Sequence, residues 1–160
     1  MKADKTIEKL KKTELVQVVK LAPLVSIDLI IENSKGQVLA GMRKNEPAKG
    51  FWFVPGGRIL KNERILQAFE RIAKDELGLK LTYNKAKFYG AYEHIYKTNF
   101  AKKAGFGTHY IVLAHKIKLN SNCEIILDNQ HSEFVWFDKR QILKNKKVHP
   151  NTRTYFEREK

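Results

Sequence analysis

Two adjacent glycines, a glutamate and a glycine-ended helical pattern fall within residues 56–79, and nothing else in the chain constrains its fold as tightly. The stretch reads GGRILKNERILQAFERIAKDELGL. An aromatic strand, FWFV, runs into Pro55-Gly56-Gly57 and stops there, because glycine lets the backbone bend and expose its carbonyls. Glu63 to Leu77 then has helical spacing, ended by Gly78 as a left-handed cap. Position 72 and Glu76 lie four residues apart and share one helical face. An ordinary amphipathic helix would explain Phe69, Ile72, Ala73 and Leu77, and Arg71 with Asp75 would be a surface pair worth a few tenths of a kcal/mol. That simpler account leaves the double glycine, Glu63 and the closing Glu-Leu-Gly-Leu unexplained.

The rest of the chain mixes both element types. Ile7 to Lys20 has a loose helical spacing, and Leu24 to Ile31 reads as a strand entered from Pro23. Asn33 to Gly36 is a tight-turn signal and Val38 to Met42 returns, so the pair reads as a β-hairpin. Phe88 to Tyr96, His109 to Leu119 and Phe134 to Phe137 read as strands, and a closing helix or loop begins at Gln141. Such a mixture indicates an α+β domain, an α-β-α sandwich on a mixed β-sheet. At 160 residues, 42% of them hydrophobic, the chain has enough for one core and too little for two, so residues 1–160 are expected to form a single domain.

Composition narrows the setting. One cysteine, Cys123, allows no internal disulfide and points to a reducing, cytoplasmic compartment. The charged start carries no apolar core of a secretory signal, and no stretch approaches the roughly 18 apolar residues that span a bilayer. The 31 Lys and Arg against 17 Asp and Glu give a net charge of +14, a field that attracts anions. Those lysines are spread along the chain with no nucleic-acid motif beside them, so a small anionic ligand is the expected partner rather than a specific nucleic acid.

The pattern from Gly57 to Leu79 resembles the Nudix box, G-x5-E-x7-R-E-U-x-E-E-x-G-U, where U is a bulky aliphatic residue. Gly57, Glu63, Arg71, Glu76, Gly78 and Leu79 are in register; Asp75 stands for the first paired Glu, Ala73 fills the first U, and Ile72 replaces the Glu after Arg71. The resemblance implies a Nudix fold and a Mg2+-dependent hydrolase, with Mn2+ as a substitute. Isoleucine neither ligates a metal nor accepts a proton, so one ligand and the base must come from elsewhere; histidine is the usual base near neutral pH.

That departure is similar to one found in the GDP-mannose mannosyl hydrolase subfamily. The likeness extends from about Leu15 to Phe156, through PLVSID, GMRKNEPAKGFWFVPGGR, FYGAYEHIY, THYIVL, the Gln130-His131 pair and VHPNTRTYF. It implies water attack at the anomeric carbon with inversion, releasing GDP and free mannose, with GDP-glucose as an alternative substrate. Carried over by position, the Gly56 carbonyl, Glu76 and Gln130 would hold the metal and His131 would be the base. Arg43 and Arg58 would neutralise the departing diphosphate, and Tyr110 would orient the reacting groups. Asp28, His94 and Tyr96 would line the sugar pocket. Glu63 and Arg71 would brace the box, while His115 and His149 receive no catalytic role. The subfamily also implies a homodimer, with residues 1–20 in its interface.

The residues leave other readings open. Asp28 could cap a turn or pair with an arginine, Tyr96 and Tyr110 could be half-buried core aromatics, and His131 could be a solvent-exposed residue of a polar loop. A conventional pyrophosphohydrolase cleaving P–O bonds would need Asp75 or Glu63 as its base. A non-catalytic domain would bind nucleotides or RNA through the positive charge.

Overall fold

In a computed structural model the described residues are 7–120 and 131–157. Gln130 lies outside them.

The central sheet owes its form to Leu24–Glu32 (β1), a nearly unbroken apolar run buried on both faces. β1 runs parallel to Thr108–Lys118 (β6), which pairs antiparallel with Lys87–Tyr96 (β5). On its other side β1 takes Gly56–Arg58 (β4), antiparallel, with Asp28 opposite Gly56 and Ile27 opposite Gly57. Val38–Arg43 (β2) carries Trp52–Phe53 (β3) on one side and His131–Phe137 (β7) on the other, all antiparallel. The seven strands among the described residues thus form one mixed sheet.

Two expectations need correction here. β1 and β2 meet only at the base of their turn, where Glu32 faces Val38, and then splay. β1 is taken up by β4 and β6, and β2 by β3 and β7, so the pair is a hairpin at its turn alone. The glycines, moreover, do not end the aromatic strand. That strand breaks at Val54-Pro55 and resumes as β4 through Gly56 and Gly57, because β1 offers an open edge for them to pair with.

Alternation along β1 divides the core. Ile27, Leu29 and Ile31 pack with Ala68, Phe69, Ile72, Ala73 and Leu77 of Ile65–Leu77 (α2). Ile30 points the other way, with Tyr155 and Phe156 of Pro150–Glu157 (α4) and Ile142 of Lys139–Lys144 (α3). Asp28 has the parity of Ile30 and so belongs to the α4 face. Lys12–Leu21 (α1) buries Val16 and Val19.

Helix ends follow local chemistry. The Gln67 side chain accepts from the Arg64 N–H at 2.9 Å to open α2, and Gly78 closes it at φ 66°. α3 opens on a reciprocal pair between Asp138 and Gln141, at 2.8 and 2.9 Å. Between α3 and α4 the chain pairs with β3, the Trp52 N–H donating to Lys147 and the His149 N–H to Trp52. That pairing draws α4 over the sheet.

Candidate active site

The site lies where β1 and β2 splay. Glu63 sits just before α2 with its side chain 1% exposed, accepting from Arg71 Nε at 2.6 Å, from Arg71 Nη2 at 3.0 Å and from the Leu60 N–H at 2.8 Å. Burial alone would raise its pKa, but these donors and the nearby Arg58 charge hold it below the usual carboxylate range. Arg71 Nη2 also donates to the Arg58 carbonyl at 2.9 Å. The two residues brace the turn that carries Arg58, as expected; the pair with Asp75, at 3.6 Å, is secondary.

A cavity of about 240 Å³ opens above this turn. Arg43 from β2, Gly56 and Arg58 from β4, Asp28 from β1, His94 and Tyr96 from β5 and Tyr110 from β6 all line it. Seven of the ten expected site residues therefore meet at one place. Phe53, Pro47 and Ala48 complete an apolar wall. Gly56 is required by close approach: a Cβ there would strike the Asp28 carboxylate and lie 2.7 Å from the Ile27 carbonyl.

Asp28 neither caps a turn nor lies on the surface. It is 6% exposed, and burial pushes its carboxyl up to about 7, against the hydrogen bond from Tyr155 and the Arg43 charge. His94 is likewise buried and is pushed down to about 4 by desolvation and by His149. Burial raises the Tyr96 and Tyr110 phenols, and burial lowers Arg58. Tyr110 is the cross-strand partner of His94 and stacks edge-on to Tyr96 at 6.3 Å.

Glu76 and His131 form a second group, buried on the α2 face. His131 Nδ1 lies 3.8 Å from Glu76 Oε2, and their side chains are 1% and 8% exposed. This corrects the expected loop position. His131 opens β7 opposite Arg43, because the strand starts three residues before Phe134 and Gly41 leaves room for the ring. A Cβ on Gly41 would lie 2.6 Å from the imidazole Cδ2. Neither residue of this group lines the cavity.

Two further residues escaped the sequence reading. Tyr155 donates to Asp28 Oδ2 at 2.6 Å, and His149, given no role, packs on Phe53 and Tyr96 at 5.3 and 5.4 Å. Both come from the VHPNTRTYF segment, whose Pro150 signals the helix that carries Tyr155 but not the contacts either residue makes.

The expected donors suit a hard cation in one respect: the Gly56 carbonyl, the Glu76 carboxylate and the amide of Gln130 would each offer oxygen. Among the described residues no three His, Cys, Asp or Glu side chains cluster closely enough to hold a metal. A set with one carboxylate fits Mg2+ only when phosphate oxygens of a substrate complete the shell.

Known proteins agree with this architecture. The profile of the NUDIX domain matches residues 22–158. The chain is 38% identical over 136 residues to the low-salt glycan biosynthesis protein Agl8 of Haloferax volcanii, covering 85% of this chain and 84% of that one. Among solved structures it is similar to a MutT NUDIX hydrolase from Burkholderia pseudomallei, with a TM-score of 0.70 and 24% identity over 86% of this chain and 98% of that one. A MutT protein from Methanosarcina mazei Go1 gives 0.69 and 21%, over 85% and 92%. The chain belongs to the Nudix family of hydrolases. Proteins of this family act on nucleotide derivatives, generally with a divalent metal such as Mg2+. No helix among the described residues is long and apolar enough to cross a membrane.

Proposed function

We propose that the protein hydrolyses GDP-mannose, with GDP-glucose as an alternative, to GDP and free sugar by water attack at the anomeric carbon. The observation that carries this reading is the composition of one cavity. Two guanidinium groups, Arg43 and Arg58, share it with Asp28, His94 and Tyr96, while position 72 offers no carboxylate to activate water at phosphorus. Its volume falls below the roughly 300–1,000 Å³ that encloses a whole drug-sized ligand, which suits the sugar and phosphate end of a nucleotide sugar. The name of the Haloferax relative, a glycan biosynthesis protein, supports a sugar-linked substrate.

In this reaction the water oxygen bonds to the anomeric carbon from the face opposite the diphosphate, inverting it. The bond from that carbon to the diphosphate oxygen breaks, and GDP leaves with the electron pair. Arg43 and Arg58 bind the departing charge, which builds as the bond breaks. His131, the base by its place in the family pattern, would take the water proton; it stands opposite Arg43 on β7, while its ring is buried beside Glu76 and does not line the cavity. Tyr110 orients the reacting groups. Asp28, His94 and Tyr96 hold the sugar hydroxyls. Mg2+ held by Gly56, Glu76 and Gln130 would supply charge neutralisation on the diphosphate.

Hydrolysis in oxygen-18 water tests the bond broken. Label in the released sugar supports the reading; label in phosphate defeats it in favour of a pyrophosphohydrolase. His131→Gln is expected to lower kcat by about 100-fold or more, the usual contribution of a general base. Near-normal turnover would leave His131 as a structural partner of Glu76.

A further inference from the structure

The Tyr155 hydroxyl sits between two residues of the cavity wall that β6 keeps apart. It donates to Asp28 Oδ2 of β1 at 2.6 Å and lies 3.2 Å from His94 Nε2 of β5. The residue is 1% exposed, its ring meets Tyr92 edge-on at 4.7 Å, and its carbonyl accepts from the Tyr89 hydroxyl at 2.9 Å. A phenol pinned at ring and backbone has one position for its oxygen.

A phenol has one proton, so if Asp28 receives it, the same oxygen can only accept from His94. Nε2 of His94 then carries the ring proton, and Nδ1 is left as an acceptor. Asp28 Oδ2 is occupied, while Oδ1 is the oxygen turned toward Gly56. Two residues of the cavity wall are thus fixed in orientation from behind by a residue that does not line it. Hexose epimers differ in the direction of single hydroxyls. Only acceptors that cannot turn to follow a hydroxyl tell such epimers apart.

We propose that Tyr155 is a positioning residue that sets the hexose preference of the site by holding Asp28 and His94 in one arrangement. The assignment rests on the sugar-pocket reading above. Tyr155→Phe keeps the ring packing and removes only the hydroxyl. Steady-state kinetics with GDP-mannose and GDP-glucose, inhibition by GDP, thermal melting and a crystal structure of the variant decide the matter together.

The expected result is a fall of about 10- to 100-fold in kcat/KM for the preferred hexose, the range for a hydrogen bond to a charged group. The ratio between the two hexoses should move toward one, with GDP inhibition unchanged within about twofold. In the crystal structure Asp28 and His94 should be turned from their native rotamers. A retained hexose ratio, or a loss shared equally by both sugars and by GDP, overturns the assignment. If the native protein releases sugar from no nucleotide sugar, the proposed activity fails instead. The hexose preference then falls with it, and the variant's crystal structure judges the positioning alone: unmoved Asp28 and His94 overturn it, and displaced ones uphold it.

Discussion

Ile72 fills the space in which the family pattern has a carboxylate. It is 1% exposed, and its Cγ1 lies 3.1 Å from where a Cβ on Gly57 would sit. The side chain therefore packs α2 against β4. Ile72→Glu would restore the pattern but put a charge among apolar neighbours, so stability in EDTA is expected to fall by about 2–4 kcal/mol. Mg2+ should return part of that loss, read as a melting shift absent from the native chain. A melt indifferent to Mg2+ would show that position 72 cannot reach a metal site here.

Asp28 gives a second residue-scale expectation. Its carboxyl rises from about 3.9 in an unfolded chain to about 7 in the folded one. The folded state thus holds a proton that the unfolded state releases between those values. Its contribution is fully present below about pH 4 and is lost as pH rises through 7. Asp28→Asn has no such loss, so in EDTA the variant should gain on the native chain by on the order of 3 kcal/mol between pH 4 and 8. His94 and His149, both pushed down to about 4, act with the opposite sign. They are present in both proteins and cancel in the comparison. Denaturant melts at several pH values would show it, and a pH-independent difference would contradict it.

At the scale of elements, Arg71 ties the helix α2 to the loop before it and to strand β4. Its planar fork reaches the Glu63 carboxylate and the Arg58 carbonyl together, which a lysine cannot do. Arg71→Lys should cost about 1–3 kcal/mol and lower the melting temperature by several degrees. Because Arg58 rides on the same turn, kcat/KM should fall as well, measured at a temperature where the variant is folded. These elements were legible in the sequence because their signals are local: a glycine cap, an i,i+4 face, an apolar run entered from Pro23. The splayed hairpin was not, since partner choice between β1, β4 and β6 is a long-range matter. α3 and α4 were merged into one closing segment although Asp138 with Gln141 is a capping pair and Pro150 a helix start. Tyr155 was invisible for a related reason, because its role comes from a contact 127 residues away in sequence.

At the scale of the whole molecule, a net charge of +14 accompanies a cavity that itself holds two arginines. An anionic substrate should be drawn in from beyond contact distance, an effect that salt screens over about 10 Å at 0.1 M. kcat/KM is expected to drop several-fold between about 25 and 400 mM NaCl, with kcat nearly constant. RNA bound with a steep salt dependence and without Mg2+-dependent turnover would instead favour a binding module.

The division of the sheet carries a consequence of another kind. Glu76 and His131 lie on the α2 face, whereas Asp28, His94 and Tyr155 lie on the α4 face. The arginines proposed to grip the leaving group share one cavity with Asp28 and His94, yet the supports differ: Arg58 is braced from the α2 side by Arg71, and Asp28 and His94 are held from behind by Tyr155 of α4. Selection, or an engineer, can rework the C-terminal helix to admit a different ring while the diphosphate grip stays in place.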